Sequence, residues 1–139
     1  TDRSKLLARS DEIVDLGRDD LDEIEALYAT EPGAAFFLSH MIDDDTYVGI
    51  RRDGRLVSIA GTHVLSPTQR LAAIGAVYTD PDHRGQGLGA AVTSAVVDRL
   101  SDRVDLIGLN VSEANIAART VYERLGFEMI WRYEECELA

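Results

Sequence analysis

Glycine at alternate positions is a poor way to open a helix, and this chain does so at Gly85, Gly87 and Gly89. Each glycine sacrifices roughly 1 kcal/mol against alanine inside a helix, so the pattern fits a place where backbone must closely approach something else. Upstream, residues 71–79 are nearly all apolar; downstream, Leu88, Ala91, Val92, Ala95, Val96 and Leu100 recur at spacings of three and four. Residues 77–100 are therefore predicted as strand end, glycine loop and buried helix. With no side chains in the way, N–H groups at the helix start can converge on an anion, aided by the helix dipole. A pyrophosphate is the natural occupant, although on this stretch alone a dinucleotide, a simple phosphate and a bare turn all stay open.

The rest of the composition narrows the class. A chain of 139 residues can bury the core of one domain without disulfides or structural metal. Its single cysteine, Cys136, excludes an internal disulfide and a cysteine zinc cluster, which fits a reducing cytoplasm. No apolar run approaches the roughly 18 residues of a membrane span. The net charge of −11 would repel nucleic-acid phosphates; it marks either a solubilising surface or one that attracts cationic amines. The sequence begins at Thr1 without an initiator methionine or signal-peptide pattern. The expectation is one domain over residues 1–139, either a processed form or the C-terminal part of a longer protein.

Taken in order, residues 1–10 read as a polar leader and 12–16 as a short strand closed by Gly17. Asp19 or Asp20 caps a helix whose Leu21, Ile24, Leu27 and Tyr28 share a face. After Pro32-Gly33, residues 34–42 are predicted as a second helix, with Phe36 and Phe37 either in the core or lining a substrate pocket and His40 at its end. Strands are expected at 46–52 and 55–65, joined by the hairpin signal Asp53-Gly54, and at 71–79 after Ser66-Pro67. The apolar run 71–79 suits a strand covered on both faces. A strand over 104–111 after the 88–100 helix requires a parallel crossover. A last helix from Glu113 or Asn115 to Gly126 and strand material over 127–138 complete a mixed α/β fold, its sheet antiparallel in the first half and parallel at the cleft.

Two motifs compete for the glycine loop. Gly85-x-Gly87-x-x-Ala90 with Asp102 or Asp105 downstream imitates a dinucleotide fingerprint. That unit, however, wants its first glycine directly after the strand, whereas residues 81–84 intervene and an antiparallel meander comes first. The second constellation is N-x-x-A-x-x-x-Y-x-x-x-G-F, formed by Asn115, Ala118, Tyr122, Gly126 and Phe127. Asn115, Ala118 and Tyr122 fall on one helix face. If the parallel strands ending at Val77 and Asn110 splay apart, that face overlooks the gap.

Arg84 through Gly89, R-x-x-G-x-G, joined to this downstream motif, resembles the GNAT superfamily of N-acetyltransferases, and the element order resembles it over nearly the whole chain. The phrase from Gly75 to Gly87 resembles the branch related to glycine N-acyltransferases. The resemblance implies acetyl-CoA, or another acyl-CoA, as donor and no metal. It implies that backbone amides of Gly85, Gln86, Gly87, Leu88, Gly89 and Ala90 take the pyrophosphate. The backbone of Val77, Tyr78 and Thr79 would pair with the pantetheine beside a bulge. Arg84 would add a charge contact or remain solvated, and Asn115 would hold the pantetheine or cap the last helix; Asn110, Ala118 and Tyr122 border the same cleft.

Chemically, an amine would attack the thioester directly, with Tyr122 as the general acid for the leaving thiolate. Many relatives place a glutamate on the strand entering the cleft, and 71–79 has none. His63 is the candidate base; Glu113, Asp80, a water chain and a residue beyond this sequence stay open, and Cys136 has no basic neighbour to activate it. The expected acceptor is a primary amine of a small molecule or amino acid, and the protein a cytoplasmic monomer or homodimer without nucleic-acid or membrane partners. The rival is a domain that binds acyl-CoA without catalysis.

Overall fold

The tightest turn in the chain sets the frame of the sheet. Asp53 (φ 53°) and Gly54 (φ 75°) are both left-handed, the combination of a type I′ turn, whose twist matches that of the strands it joins. In the computed structural model, which describes residues 12–33, 35, 37–109 and 122–124, this turn links β2 (Val48–Arg52) to β3 (Arg55–Ser66), with Arg52 opposite Arg55. Strand β1 (Ile13–Asp15) lies antiparallel on β2, and β4 (Leu71–Thr79) lies antiparallel on β3. Strand β5 (Leu106–Leu109) pairs parallel with β4, giving the order β1-β2-β3-β4-β5 among the described residues.

Helices cover both faces. After a 3₁₀ turn at Arg18–Asp20 comes α1 (Leu21–Tyr28), and α2 (Leu88–Leu100) provides the crossover that a parallel β4–β5 pair requires. Ile24 and Leu27 of α1 pack with Tyr47, Leu56, Ile59, Ala76 and Tyr78. Leu88, Val92 and Val96 of α2 pack with Val48, Val57, Ala60, Ala72 and Ile74. Neighbouring residues such as Tyr47 and Val48 fall into different clusters because successive strand side chains point to opposite faces. The sheet is a middle layer, and the mixed α/β architecture with its antiparallel-then-parallel order is the one expected.

Several local expectations change. The described residues of 34–42 do not form the second helix: a 3₁₀ segment runs Ser39–Asp44 and ends where Asp45 turns left-handed at φ 57°. Phe37 instead sits in irregular backbone, its ring 5.3 Å from that of Tyr28 and 5.4 Å from that of Tyr47. Phe36 lies outside the described residues. His40 is exposed near the start of the 3₁₀ segment rather than at a helix end. The described part of the strand expected over 104–111 is only Leu106–Leu109. The leader, residues 110–121 and the 127–138 strand material lie outside the described residues.

One contact shows how closely the middle layer is built. The ring of Tyr47, fully buried, lies on Gly61, and a Cβ there would stand 2.4 Å from it. Gly61→Ala is expected to lower unfolding stability by about 1–3 kcal/mol, the usual cost of overpacking a filled core. A urea denaturation midpoint equal to the wild type's would refute this packing.

Candidate functional site

The site is assembled where β4 stops being an ordinary strand. Pairing of β4 with β5 runs from Leu71 opposite Leu106 to Ile74 opposite Leu109. Beyond it, over 75–79, no described residue pairs with that edge. On the other edge the register slips: Gly75 faces Gly61 while Tyr78 faces Ile59, so Ala76 and Val77 together oppose Ala60. This is a β-bulge, and Ala76 adopts the left-handed conformation at φ 56°. The bulge inverts the strand. Ala72 and Ile74 belong to the α2-side core, but Ala76 and Tyr78 belong to the α1 side, and Val77 packs back towards α2.

From Thr79 the chain leaves the sheet through Asp80, whose side chain is 5% exposed. Its amide donates to the Val57 carbonyl at 2.8 Å. Its carboxylate accepts from the Asp82 amide at 3.2 Å, pairs with Arg55 at 2.9 Å and stands 3.5 Å from His83 Nδ1. Burial alone would raise this carboxyl, but the Asp82 amide, Arg55 and His83 together hold it below the ordinary carboxylate range. Asp80 is thus engaged in fixing the 3₁₀ turn Pro81–His83, which removes it from the candidates for the base.

The loop then delivers the helix. Gly85 (φ 81°) and Gly87 (φ 79°) are left-handed, and Gly87 is the N-cap of α2 with no side-chain cap. The first-turn amides of α2 are groups a helix leaves without internal acceptors. A Cβ at Gly85 or Gly87 would meet nothing within 4 Å, and at Gly89 only Thr79 Oγ1 at 3.8 Å. Backbone amides and open space therefore coincide, which suits an anion. Val77, Tyr78, Thr79, Arg84, Gly85, Gln86, Gly87, Leu88, Gly89 and Ala90 form one continuous path from the β4 edge to that helix start. Leu88 and Tyr78 are buried there and present only backbone to such a path.

Arg84 differs from the free phosphate arm it could have been. Its guanidinium is paired to Glu31 at 2.5 Å, donates to the Thr79 carbonyl at 3.1 Å and lies 5.6 Å from the centre of the Tyr78 ring. The Glu31 hydrogen bond is the chief reason its pKa is raised.

His63 is the extra residue of a second irregularity, since Thr62 faces Ile74 and Val64 faces Ala73. It is exposed, and its imidazole lies on Gly75, where a Cβ would be 2.2 Å from the ring. That glycine lets the imidazole rest on β4 one residue past Ile74, the last β4 residue paired with β5 among the described residues. Tyr122 lies in helical backbone over 122–124 and is half buried, and that burial raises its phenol pKa. Asp105, a potential ribose partner under a dinucleotide reading, is paired with Arg70 at 3.0 Å. Asn110, Glu113, Asn115, Ala118 and Cys136 lie outside the described residues. Among the described residues no group of three or more His, Cys, Asp or Glu could hold a metal ion, and no helix is long and apolar enough to cross a membrane.

Sequence reasoning missed the part played by the end of α1. Tyr28 Oη donates to the Ala76 carbonyl at 2.5 Å, Thr30 Oγ1 and Tyr78 Oη share a hydrogen bond of 2.7 Å, and Glu31 reaches Arg84. In the sequence Tyr28 registers only as part of an apolar helix face.

Comparison with known proteins adds an independent finding. The acetyltransferase (GNAT) family profile matches residues 12–127. The chain is similar to a mycothiol acetyltransferase of Tsukamurella paurometabola, 38% identical over 76 residues, which cover 54% of this chain and 26% of that protein. It is also similar to the ribosomal protein bS18-alanine N-acetyltransferase of Escherichia coli, 35% identical over 79 residues, covering 56% of this chain and 51% of that protein. Among solved structures, a GNAT-family protein from Novosphingobium aromaticivorans superimposes with a TM-score of 0.76 and 31% identity, over 88% of this chain and 54% of its own. The matches to the two curated relatives thus span between 26% and 51% of their lengths.

The Asp80 cluster carries a pH signature. Its folded pKa lies below the ordinary aspartate value of 3.8, so the stability it contributes is complete above that value and is lost as pH falls through the lowered folded pKa. Asp80→Asn is expected to cost about 1–3 kcal/mol at pH 7, towards the lower end because Arg55 is largely exposed. It should also flatten the fall in stability below about pH 4. Urea midpoints at pH 7 and pH 3 decide this, and parallel acid loss in both proteins would remove Asp80 from the role.

Proposed function

The chain belongs to the acetyltransferase (GNAT) family, and from that premise we propose that it transfers an acetyl group from acetyl-CoA to a primary amine by direct attack in a ternary complex. The acceptor class proposed is the amine of a small molecule or an amino acid. The observation that supports the reading best is the continuity of the bulged β4 edge, unpaired over 75–79 among the described residues, with the open amides at the start of α2. An extended pantetheine needs a strand edge, and a pyrophosphate needs converging N–H groups. The site offers both in succession. The relatives' names put one of them on mycothiol and the other on an alanine of ribosomal protein bS18, and neither carries over a specific acceptor to this chain.

In the proposed reaction the amides from Gly85 to Ala90 hold the pyrophosphate and the backbone of Val77, Tyr78 and Thr79 aligns the pantetheine. The family resemblance would have Asn110, Asn115 and Ala118 border the same arm. The neutral amine nitrogen attacks the thioester carbonyl; a C–N bond forms, and collapse of the tetrahedral species breaks the C–S bond. His63 takes the proton lost by nitrogen, and Tyr122 gives its proton to the departing sulfur. Approximation supplies much of the acceleration, because reactants held in line react as one molecule. Tyr122 suits an acid: burial raises its pKa above the ordinary 10.0, so it keeps its proton throughout the neutral range.

A second reading, an acyl-CoA-binding domain without catalysis, is favoured by the lack of any carboxylate over Leu71–Thr79. Isothermal titration with acetyl-CoA and with NAD, followed by an amine panel monitored by thiol release, separates the possibilities. Binding of NAD with no binding of acetyl-CoA at millimolar concentration would defeat both. Under the catalytic reading Tyr122→Phe lowers kcat by about 10²–10⁴-fold, the usual share of a general acid, with acetyl-CoA affinity nearly kept. The wild-type rate should show no alkaline fall from the phenol until the pH exceeds about 10. Unchanged turnover in Tyr122→Phe would take the acid role from this residue.

A further inference from the structure

The donor edge depends on a backbone conformation that its own sequence does not favour. A bulge of this kind is easiest with glycine in the left-handed position, yet position 76 is alanine at φ 56°. Nothing in Ala76-Val77-Tyr78 asks for an interruption, since alternating small and β-favouring residues would continue a regular strand. The restraint has to come from elsewhere in the fold, and one group supplies it. Tyr28 Oη, at the last residue of α1, donates to the carbonyl of Ala76 itself at 2.5 Å.

The ring that carries this hydroxyl is well fixed. It packs 5.3 Å from Phe37 and 5.8 Å from Tyr78, centre to centre. Burial raises the phenol pKa, so the group stays a donor. Two more contacts follow in the same order along both segments: Thr30 meets Tyr78 at 2.7 Å, and Glu31 meets Arg84. The end of α1 thus grips β4 and its exit at successive points, the first of them on the bulge.

We propose that Tyr28 is a positioning residue for acetyl transfer: by holding the Ala76 carbonyl it fixes the bulge that sets where the Val77 edge stands relative to the glycine loop. This rests on the transfer reading above. The bulge decides which way every later residue of β4 points, because a one-residue change of register swaps faces. With it, Thr79 Oγ1 meets Ser58 Oγ at 2.9 Å and lies beside Gly89. Without it, Thr79 and Tyr78 would exchange sides, and the strand would enter the loop at another angle. Tyr28 need touch neither substrate to act in this way.

Tyr28→Phe keeps the ring and removes only the donor. It is expected to lower kcat by about ten- to a hundred-fold, as small misplacements of a reacting group do, while the acetyl-CoA dissociation constant measured by titration changes by less than about threefold, because the first-turn amides of α2 belong to a helix anchored in the core through Leu88, Val92 and Val96. Adding Ala76→Gly should recover most of the loss, since glycine takes a positive φ without a Cβ penalty. Amide hydrogen exchange over 75–78, read without any ligand, should accelerate in Tyr28→Phe and slow again in the double variant. A kcat equal to the wild type's, exchange unchanged at the bulge, or a lost kcat that Ala76→Gly leaves where it was would each overturn the proposal. If the wild type turns over no amine while exchange responds as stated, the transfer reading has failed and Tyr28's hold on the bulge stands.

Discussion

Among the described residues β4 is paired on both edges along its first half and on one edge along its second, and the proposed donor path depends on that arrangement. From Leu71 to Ile74, β4 lies between β3 and β5. From Gly75 onward its outer edge carries backbone donors and acceptors with no strand partner among the described residues. Exposed edges of this sort invite pairing with another chain unless a protein manages them. Here the edge is interrupted by a bulge and leads straight into a helix start. Both features lower its value as a template for a further strand while leaving room for a short extended ligand.

The same interruption gives the two sides of β4 different company. Before Ala76 the even-numbered residues face α2, and after it Val77 does. Tyr78 is sent to the α1 side, among Tyr28, Thr30 and Glu31. One strand therefore contributes backbone to the proposed donor path and an aromatic ring to the opposite face, where an acceptor would arrive. Two glycines make that face possible. Gly61 lies under Tyr47 and Gly75 under His63, each with no room for a methyl group.

How much of this was legible follows from the range of each interaction. Period-two and period-3.6 patterns mark what is buried, so β4 and α2 emerge with the boundaries Leu71–Thr79 and Leu88–Leu100. The Asp53-Gly54 turn is equally plain because its requirement for positive φ is local. Residues 34–42 misled because Phe37 answers to Tyr28 and Tyr47 rather than to its own neighbours. The bulge at Ala76 was expected only through the family resemblance, not from its own residues: its restraint is a hydrogen bond from a residue 48 positions away. The path for a donor could be read from glycines and apolar runs, whereas what holds that path in shape could not. His63 was found by its chemistry, and its placement on Gly75 came only with the fold.

Charge adds a last step. A net charge of −11 opposes a polyanionic donor, although separations beyond about 8 Å are screened at physiological salt. Arg84 offers little relief while Glu31 holds its guanidinium. The uncapped amides of α2 supply an attraction of their own, through fixed short-range dipoles. For an amine acceptor the same acidity acts in two directions. It draws the ammonium form towards the surface, and it favours keeping that form protonated once there, although only the neutral amine can attack. A field that gathers the substrate thus opposes the first chemical step, and a base in the cleft has to offset it locally. Under the transfer reading this makes His63, seated on Gly75 just past the described β4–β5 pairing, more than an accident of packing.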